Sequence, residues 1–182
     1  MQGILQADVQ PKMGDALAVI TLDSKNRKIT DLTVTQKQFR FKCKRCAALC
    51  CKLGGPALTK KDTEKIVAAG YPVKDFLEPV NRDNKSLPLA VGDLKTREDG
   101  SCIFLQQDVE RNCLKCSIYD FRPTLCRLYP FRLERLDANR IVLKFIPCCN
   151  GLNNPEGKVM DEEFVSSILH EAMDLPQTGK PL

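Results

Sequence analysis

The sequence predicts a small single domain of the α+β class, built from short helices and β-hairpins. Three observations lead to this class. The chain has 182 residues, which fits one domain with its own hydrophobic core. Two pairs of strand-like runs flank short turns, and two segments carry helix signals. Hydrophobic residues make up 43% of the chain and charged residues 28%, as in ordinary globular proteins.

Two β-hairpins are predicted. The first has the strands ALAVITL (16–22) and KITDLTV (28–34) on either side of the turn DSKNR. The second has the strands FRLERL (131–136) and RIVLKFI (140–146) on either side of DAN. The polar segment 81–100 reads as a loop.

Two helices are predicted. In the first, Thr59 is the N-cap, Asp62 follows three residues later, and Gly70 and Pro72 end the helix. In the second, apolar residues recur at helical spacing on one face, which predicts packing on the core. These residues are Val165, Ile168, Leu169, Ala172 and Met173.

The chain is expected to have three parts. Residues 1–40 form an N-terminal extension with a β-hairpin, 41–152 form a cysteine-rich domain, and 153–182 form an amphipathic helix and tail. A net charge of +5 without a basic stripe argues against nucleic-acid binding. No apolar run is long enough for membrane insertion, and the N-terminus shows no secretory signal, so the cytoplasm is the expected location.

The ten cysteines are the unusual part of the composition. Cys43, Cys46, Cys50 and Cys51 fall within nine residues. Disulfides are rare in the cytoplasm, and adjacent cysteines bond to each other only with strain. Thioredoxin-like redox catalysis requires a βαβ context that neither C-x-x-C motif has. Metal binding fits this pattern best.

A helical first cluster would place Cys43, Cys46 and Cys50 close to one face, with Cys51 about 100° away. The segment would then give three ligands to one centre and a fourth to another. Arg122 and Arg127 are expected to donate to metal-bound sulfur. The single histidine, His170, lies at a polar helix position and is not expected to be a ligand.

The segment CSIYDFRPTLCRLYPF (116–131) carries a recognisable pattern. Three other motifs accompany it: the cluster that ends in Cys50-Cys51, then Cys102-x-Phe104-Leu105, then Cys149-Asn-Gly151. Together these motifs resemble the zinc- or iron-chelating cysteine-cluster family, the YkgJ-like or CxxCxxCC domain. That family takes Tyr or Phe at the place of Tyr129. Its cluster usually reads C-x2-C-x2-C-C, whereas three residues separate Cys46 and Cys50 here. Cys113 and Cys148 are additional, either as ligands or as small buried side chains.

The resemblance implies a metal site of zinc or iron and eight candidate ligands, enough for two four-thiolate sites or for one cluster with spare thiols. The candidates are Cys43, Cys46, Cys50, Cys51, Cys102, Cys116, Cys126 and Cys149. Three close ligands with a remote fourth favour an iron–sulfur cluster of the 4Fe-4S type, with zinc as the alternative.

The leading hypothesis is a cytoplasmic iron–sulfur protein that acts as a redox-responsive or electron-transferring accessory of a larger protein complex. A zinc-stapled interaction module without a redox role is the alternative. A relative of the flagellin lysine methylases, within which some family members are fused, is the third. No substrate-site residues stand out, so the sequence does not favour an enzyme.

Overall fold

The computed structural model describes residues 16–23, 28–36, 38–79 and 90–173. It confirms an α+β architecture of short helices and small antiparallel sheets. The strands are β1 (Ala16–Asp23), β2 (Lys28–Val34), β3 (Arg40–Phe41), β4 (Ala57–Thr59), β5 (Leu77–Glu78), β6 (Ala90–Leu94), β7 (Leu105–Asp108), β8 (Cys113–Cys116), β9 (Phe131–Arg135), β10 (Arg140–Phe145) and β11 (Lys158–Val159). The helices are α1 (Lys60–Ala68), α2 (Val73–Phe76), α3 (Thr124–Leu128) and α4 (Glu162–Met173), with a 3₁₀ turn at Tyr119–Phe121.

Both predicted hairpins are confirmed as antiparallel strand pairs. They join into one four-stranded sheet in the order β2-β1-β10-β9, because β1 also pairs with β10. The turn of the first hairpin, residues 24–27, lies outside the described residues. The predicted part boundaries at residues 40 and 152 stay predictions.

The predicted C-terminal helix is confirmed as α4, and it packs on this sheet. Its Val165 and Leu169 are fully buried together with Leu143 of β10 and Met160. This first core also includes Phe131, whose ring lies edge-on to that of Phe41 at 5.1 Å between centroids.

A second core lies under the sheet β4-β6-β5 and helices α1 and α2. Its fully buried side chains include Leu58, Ile66 and Phe76. The predicted loop over 81–100 is wrong for Ala90–Leu94, which is strand β6. Main-chain pairing with β4 and β5 makes residues 90–94 a strand within an otherwise polar stretch of sequence.

The predicted start of α1 is confirmed in detail. Thr59 and Asp62 form a reciprocal capping box. Gly70 follows the helix with φ +95°, a left-handed conformation that glycine adopts at low cost. Asp62 also accepts hydrogen bonds from the amide and hydroxyl of Thr124, both at 2.9 Å, and so joins α1 to the start of α3.

Among the residues that the structure describes, no helix has the length and apolar character needed to cross a membrane.

Candidate metal centre

Three separate segments of the chain meet around one cavity of about 290 Å³. The lining residues come from 41–50, from 116–129 and from 148–151. Phe41 packs against the first core, whereas Cys50 and Cys116 pack against the second. The cavity therefore lies where the two cores meet.

Six cysteines line this cavity. Five of them are among the predicted ligands, and Cys148 is the sixth. The six are Cys43, Cys46, Cys50, Cys116, Cys148 and Cys149.

The first cysteine segment is not helical, so a helical face does not explain its geometry. Arg45 and Ala47 have left-handed backbone conformations, with φ of +54° and +47°, and a turn follows at 48–52. Non-glycine residues adopt such conformations only at an energetic cost. Cys43, Cys46 and Cys50 nevertheless line the same cavity, as the three-ligand prediction requires.

The remaining predicted ligands lie beside the cavity. Cys51 and Cys102 are buried, and the Cys102 amide donates to the Cys51 carbonyl at 2.8 Å. Cys126 on α3 lines a smaller cavity together with Cys50. Burial, reinforced by the charge of neighbouring thiols, raises the pKa of Cys126 well above its usual range.

Cys51 is the centre of a compact group of thiols. Its side chain hydrogen-bonds with Cys102, Cys116 and Cys50, and these contacts, followed by burial, raise its pKa far above that of an ordinary thiol. The hydrogen bond from Cys51 is also the main cause that lowers the pKa of Cys50 to about 6 and of Cys102 to about 7, and it lowers the pKa of Cys116. The group thus holds a proton on Cys51 while its neighbours ionise readily. Metal binding replaces such protons, because ligating sulfurs are thiolates.

Arg122 donates towards sulfur, in agreement with the prediction. Its Nη1 lies 4.0 Å from Cys43 Sγ, and its Nε donates to the carbonyl oxygen of Tyr119 at 3.0 Å. The guanidinium carbon also lies 3.8 Å from the centre of the Tyr119 ring, and that of Arg45 lies at 4.2 Å. Two cations are therefore held at this wall of the cavity, where they offset thiolate charge.

Arg127 points elsewhere. Its Nε pairs with Glu171 of α4 at 2.5 Å, and its Nη2 donates to the Thr124 hydroxyl at 3.4 Å. In the described contacts Arg127 ties α3 to α4 and does not donate to sulfur.

Two tyrosines for which the sequence analysis proposed no role, Tyr119 and Tyr129, line the cavity. Burial raises the pKa of Tyr119, and a hydrogen bond with Cys43 raises it further. Burial raises the pKa of Tyr129 to about 12, and charge on the surrounding thiols, Cys149 first, adds to the effect. In the sequence, the only signal that could have identified these two tyrosines as site residues was their position within the family motif.

The two additional cysteines differ in placement. Cys148 lines the cavity next to Cys149. Cys113 lies at the start of strand β8 and is exposed. Residues three apart on a strand point to opposite faces, so the Cys113-x-x-Cys116 spacing does not bring both thiols to one metal. His170 lies on α4 and does not line the cavity.

The donor set fits a metal–thiolate group. All ten cysteines are free, and a buried tyrosine hydroxyl, that of Tyr129, has no hydrogen-bond partner in the part of the chain that is described. Over 16–23, 28–36, 38–79 and 90–173, no three His, Cys, Asp or Glu side chains are arranged so that they could hold a metal ion as they stand. Thiols that share protons adjust when a metal displaces those protons, so metal binding would draw Cys51 and its neighbouring thiols together.

Comparisons with known proteins agree with this chemistry. The CxxCxxCC family model, described as a "Putative zinc- or iron-chelating domain", matches residues 42–163. An uncharacterized protein of Methanocaldococcus jannaschii is 35% identical over 143 residues, which cover 77% of this chain and 72% of that protein. No solved structure matches the chain. A match over this much of the sequence, together with thiols gathered from three segments, shows that the chain belongs to the CxxCxxCC family of zinc- or iron-chelating domains.

Proposed function

We propose that the protein holds an iron–sulfur cluster in the cysteine-lined cavity and acts as a redox-responsive or electron-transferring accessory of a larger protein complex. The supporting observation is the cavity itself, in which six cysteines surround about 290 Å³. That space greatly exceeds the ~10–15 Å³ that one water requires, so it accommodates a polynuclear group. Thiolates are the usual ligands of iron–sulfur clusters, which supply one-electron chemistry when bound.

The cluster ligands would come from the cavity wall. Cys43, Cys46, Cys50, Cys116 and Cys149 are the predicted ligands that line it. Arg122 Nη1, 4.0 Å from Cys43 Sγ, would donate to the bound thiolate.

The accessory role is supported by the exposure of this side of the molecule. Cys43 and Cys46 are exposed, as are the neighbouring Lys44 and Arg45. A solvent-facing redox group with cations at its edge suits a partner that presents acidic side chains, because complementary charge speeds encounter and fixes orientation.

A zinc staple is the second candidate, and the contacts of Cys51 favour it. Four sulfurs around one tetrahedral zinc ion, at ~2.3 Å from it, lie about 3.8 Å apart. Cys51 interacts with Cys50, Cys102 and Cys116, so an adjustment of these four side chains would bring their sulfurs around one ion. An ion held there would link three segments of the chain, as structural zinc does in small domains.

Anaerobic purification of the full chain, with iron, acid-labile sulfide and zinc measured together, distinguishes the two candidates. The iron–sulfur proposal predicts stoichiometric iron and sulfide with a visible absorbance that bleaches on reduction. Cys43→Ser with Cys46→Ser should abolish iron and sulfide. Cys113→Ser is the matched control and should retain both, since its thiol faces away from the cavity.

A colourless protein that contains zinc alone would refute the iron–sulfur proposal. In that case Cys51→Ser should remove the zinc, whereas the double variant at Cys43 and Cys46 should keep it. For the accessory role, the native protein should elute from a size-exclusion column within a larger assembly under reducing, anaerobic conditions. Elution as a free monomer from its own cell extract would contradict that part.

A further inference from the structure

Tyr129 occupies the wall shared by the two cysteine cavities. It lines the larger cavity with Cys148 and Cys149, and the smaller one with Cys126, while Cys50 lines both. Its main-chain amide donates to the Leu125 carbonyl at 3.1 Å, so the end of α3 fixes its position. The ring is thereby held among thiols from all three cysteine segments.

The hydroxyl oxygen of Tyr129 is buried, although the residue as a whole is partly exposed. It has no hydrogen-bond partner among the residues that the structure describes. Buried hydroxyls nearly always have a partner, because losing water without replacing its hydrogen bond is unfavourable. We therefore expect the Tyr129 hydroxyl to donate to an acceptor that is present only when metal occupies the site.

The neighbours of Tyr129 indicate what that acceptor is. Cys46, Cys50, Cys148 and Cys149 are the thiols that act on it electrostatically. A protonated thiol is a weak acceptor, whereas a metal-bound thiolate or sulfide carries charge and accepts readily.

Two other donors at the cavity are already engaged with sulfur. Tyr119 hydrogen-bonds with Cys43, and Arg122 donates to the same sulfur at 4.0 Å. These two donors serve the first cysteine segment, and Tyr129 is left for sulfur on the wall formed by Cys50 and Cys148–Cys149.

We propose that Tyr129 is a positioning residue whose hydroxyl donates a hydrogen bond to a metal-bound sulfur in the larger cavity. The inference rests on metal binding in that cavity, but not on the metal being iron. In the loaded form the buried hydroxyl gains a charged acceptor that the metal-free site does not offer, so the hydrogen bond stabilises metal binding. Donation to sulfur also withdraws electron density from the ligand, so it alters the electronic spectrum of the site.

Tyr129→Phe in the full chain, loaded with Co²⁺ as a spectroscopic probe, tests the inference. The affinity for Co²⁺, measured by competition with a chelator, should fall by about tenfold, the lower end for partners that support metal ligands. The sulfur-to-cobalt charge-transfer band should shift. The melting temperature of the metal-free variant should equal or exceed that of the wild type, because a buried hydroxyl without a partner has been removed.

Tyr71→Phe is the matched control. Tyr71 packs edge-on against Phe104 in the second core, with ring centroids 5.1 Å apart, and it does not line either cavity. Its variant should keep both the Co²⁺ affinity and the band of the wild type.

An unchanged affinity and band in Tyr129→Phe would overturn the inference, as would a lower melting temperature of the metal-free variant. Failure of the wild-type chain to bind Co²⁺ would overturn the inference together with the assignment of the cavity. A native protein that contains zinc and no iron would overturn the iron–sulfur proposal alone, since the cobalt measurements on Tyr129→Phe are independent of it.

Discussion

Asp62 joins two helix starts, and replacing it tests whether this buried carboxylate organises the cysteine site from outside the cavity. The side chain is 1% exposed. Its Oδ2 accepts from the Thr59 amide at 3.1 Å and hydroxyl at 2.8 Å. Its Oδ1 accepts from the Thr124 amide and hydroxyl, both at 2.9 Å. Four hydrogen bonds therefore depend on one carboxylate.

Asp62→Asn keeps the size of the side chain but leaves one accepting oxygen and places an amide donor where the other stood. Two of the four hydrogen bonds are lost and two buried donors are left facing an NH₂ group. At about 1.5–3 kcal/mol for each hydrogen bond to a charged group, the loss in the free energy of unfolding is about 3–6 kcal/mol. That is a large share of the ~5–15 kcal/mol by which a domain is stable.

Urea unfolding of the metal-free protein, followed by circular dichroism, measures this loss. Asp75→Asn is the control, because Asp75 is an exposed residue in the first turn of α2 and its substitution should change stability by less than about 0.5 kcal/mol. Because α3 also holds Cys126, the Asp62 variant should alkylate faster at that thiol. Thr124→Val removes one of the four hydrogen bonds and should give a smaller loss of about 1.5–3 kcal/mol.

A loss below about 0.5 kcal/mol for Asp62→Asn, together with unchanged alkylation of Cys126, would refute this reasoning. If the variant does not fold, Thr124→Val still tests the link, because a stability equal to that of the wild type would show that the contact contributes nothing.

Three further predictions concern other parts of the molecule. Gly55→Ala should lower the free energy of unfolding by at least about 3 kcal/mol, because the new Cβ would lie 1.7 Å from a main-chain oxygen of β6. The Cβ of Gly70→Ala would meet no atom within 4 Å, so this variant should lose only about 1 kcal/mol, through its φ of +95°. Equal losses in urea unfolding would contradict the steric explanation. Lys144, 5% exposed, pairs at 2.6 Å with Glu134, whose side chain is 33% exposed and also pairs with Arg132 at 3.0 Å. Glu134→Gln should therefore lower the free energy of unfolding by about 2–3 kcal/mol, because it leaves a buried cation without its carboxylate. Lys144→Met should lower it by less than about 1 kcal/mol, and thermal unfolding of both variants measures the difference. In the metal-free protein the alkylation rate of Cys50 should rise with pH around its pKa of about 6 and level off at higher pH, since only the thiolate reacts. A rate that still rises around pH ~8.5, as for a free cysteine, would show that the hydrogen bond from Cys51 is absent.

Local signals account for the parts of the fold that were predicted correctly. The alternating runs around 23–27 and 137–139 gave both hairpins, because a strand of this sheet buries one face and turn residues must separate the strands. The capping box at Thr59 and Asp62 placed the start of α1 to the residue, since those side chains satisfy amides that the helix itself leaves free. The apolar stripe of α4 likewise predicted its packing on the sheet.

Non-local pairing accounts for what was missed. Strand β6 forms because two other strands offer it hydrogen bonds, and no pattern within residues 90–94 shows those partners. Strand β8 forms against β7, and only that pairing turns Cys113 away from Cys116. Asp62 was read as a helix cap, but its second role depends on Thr124, 62 residues along the chain.

The sequence alone determined the chemistry of this protein. Ten cysteines in three regions, most of them among Lys and Arg, select metal–thiolate chemistry, because ligand type and spacing are local properties of the chain. Which thiols share a space was decided by the tertiary structure. The meeting of two cores brings Cys148 and Tyr129 into the cavity and puts Cys51 against Cys102 and Cys116, because these distances depend on long-range packing that no local pattern encodes.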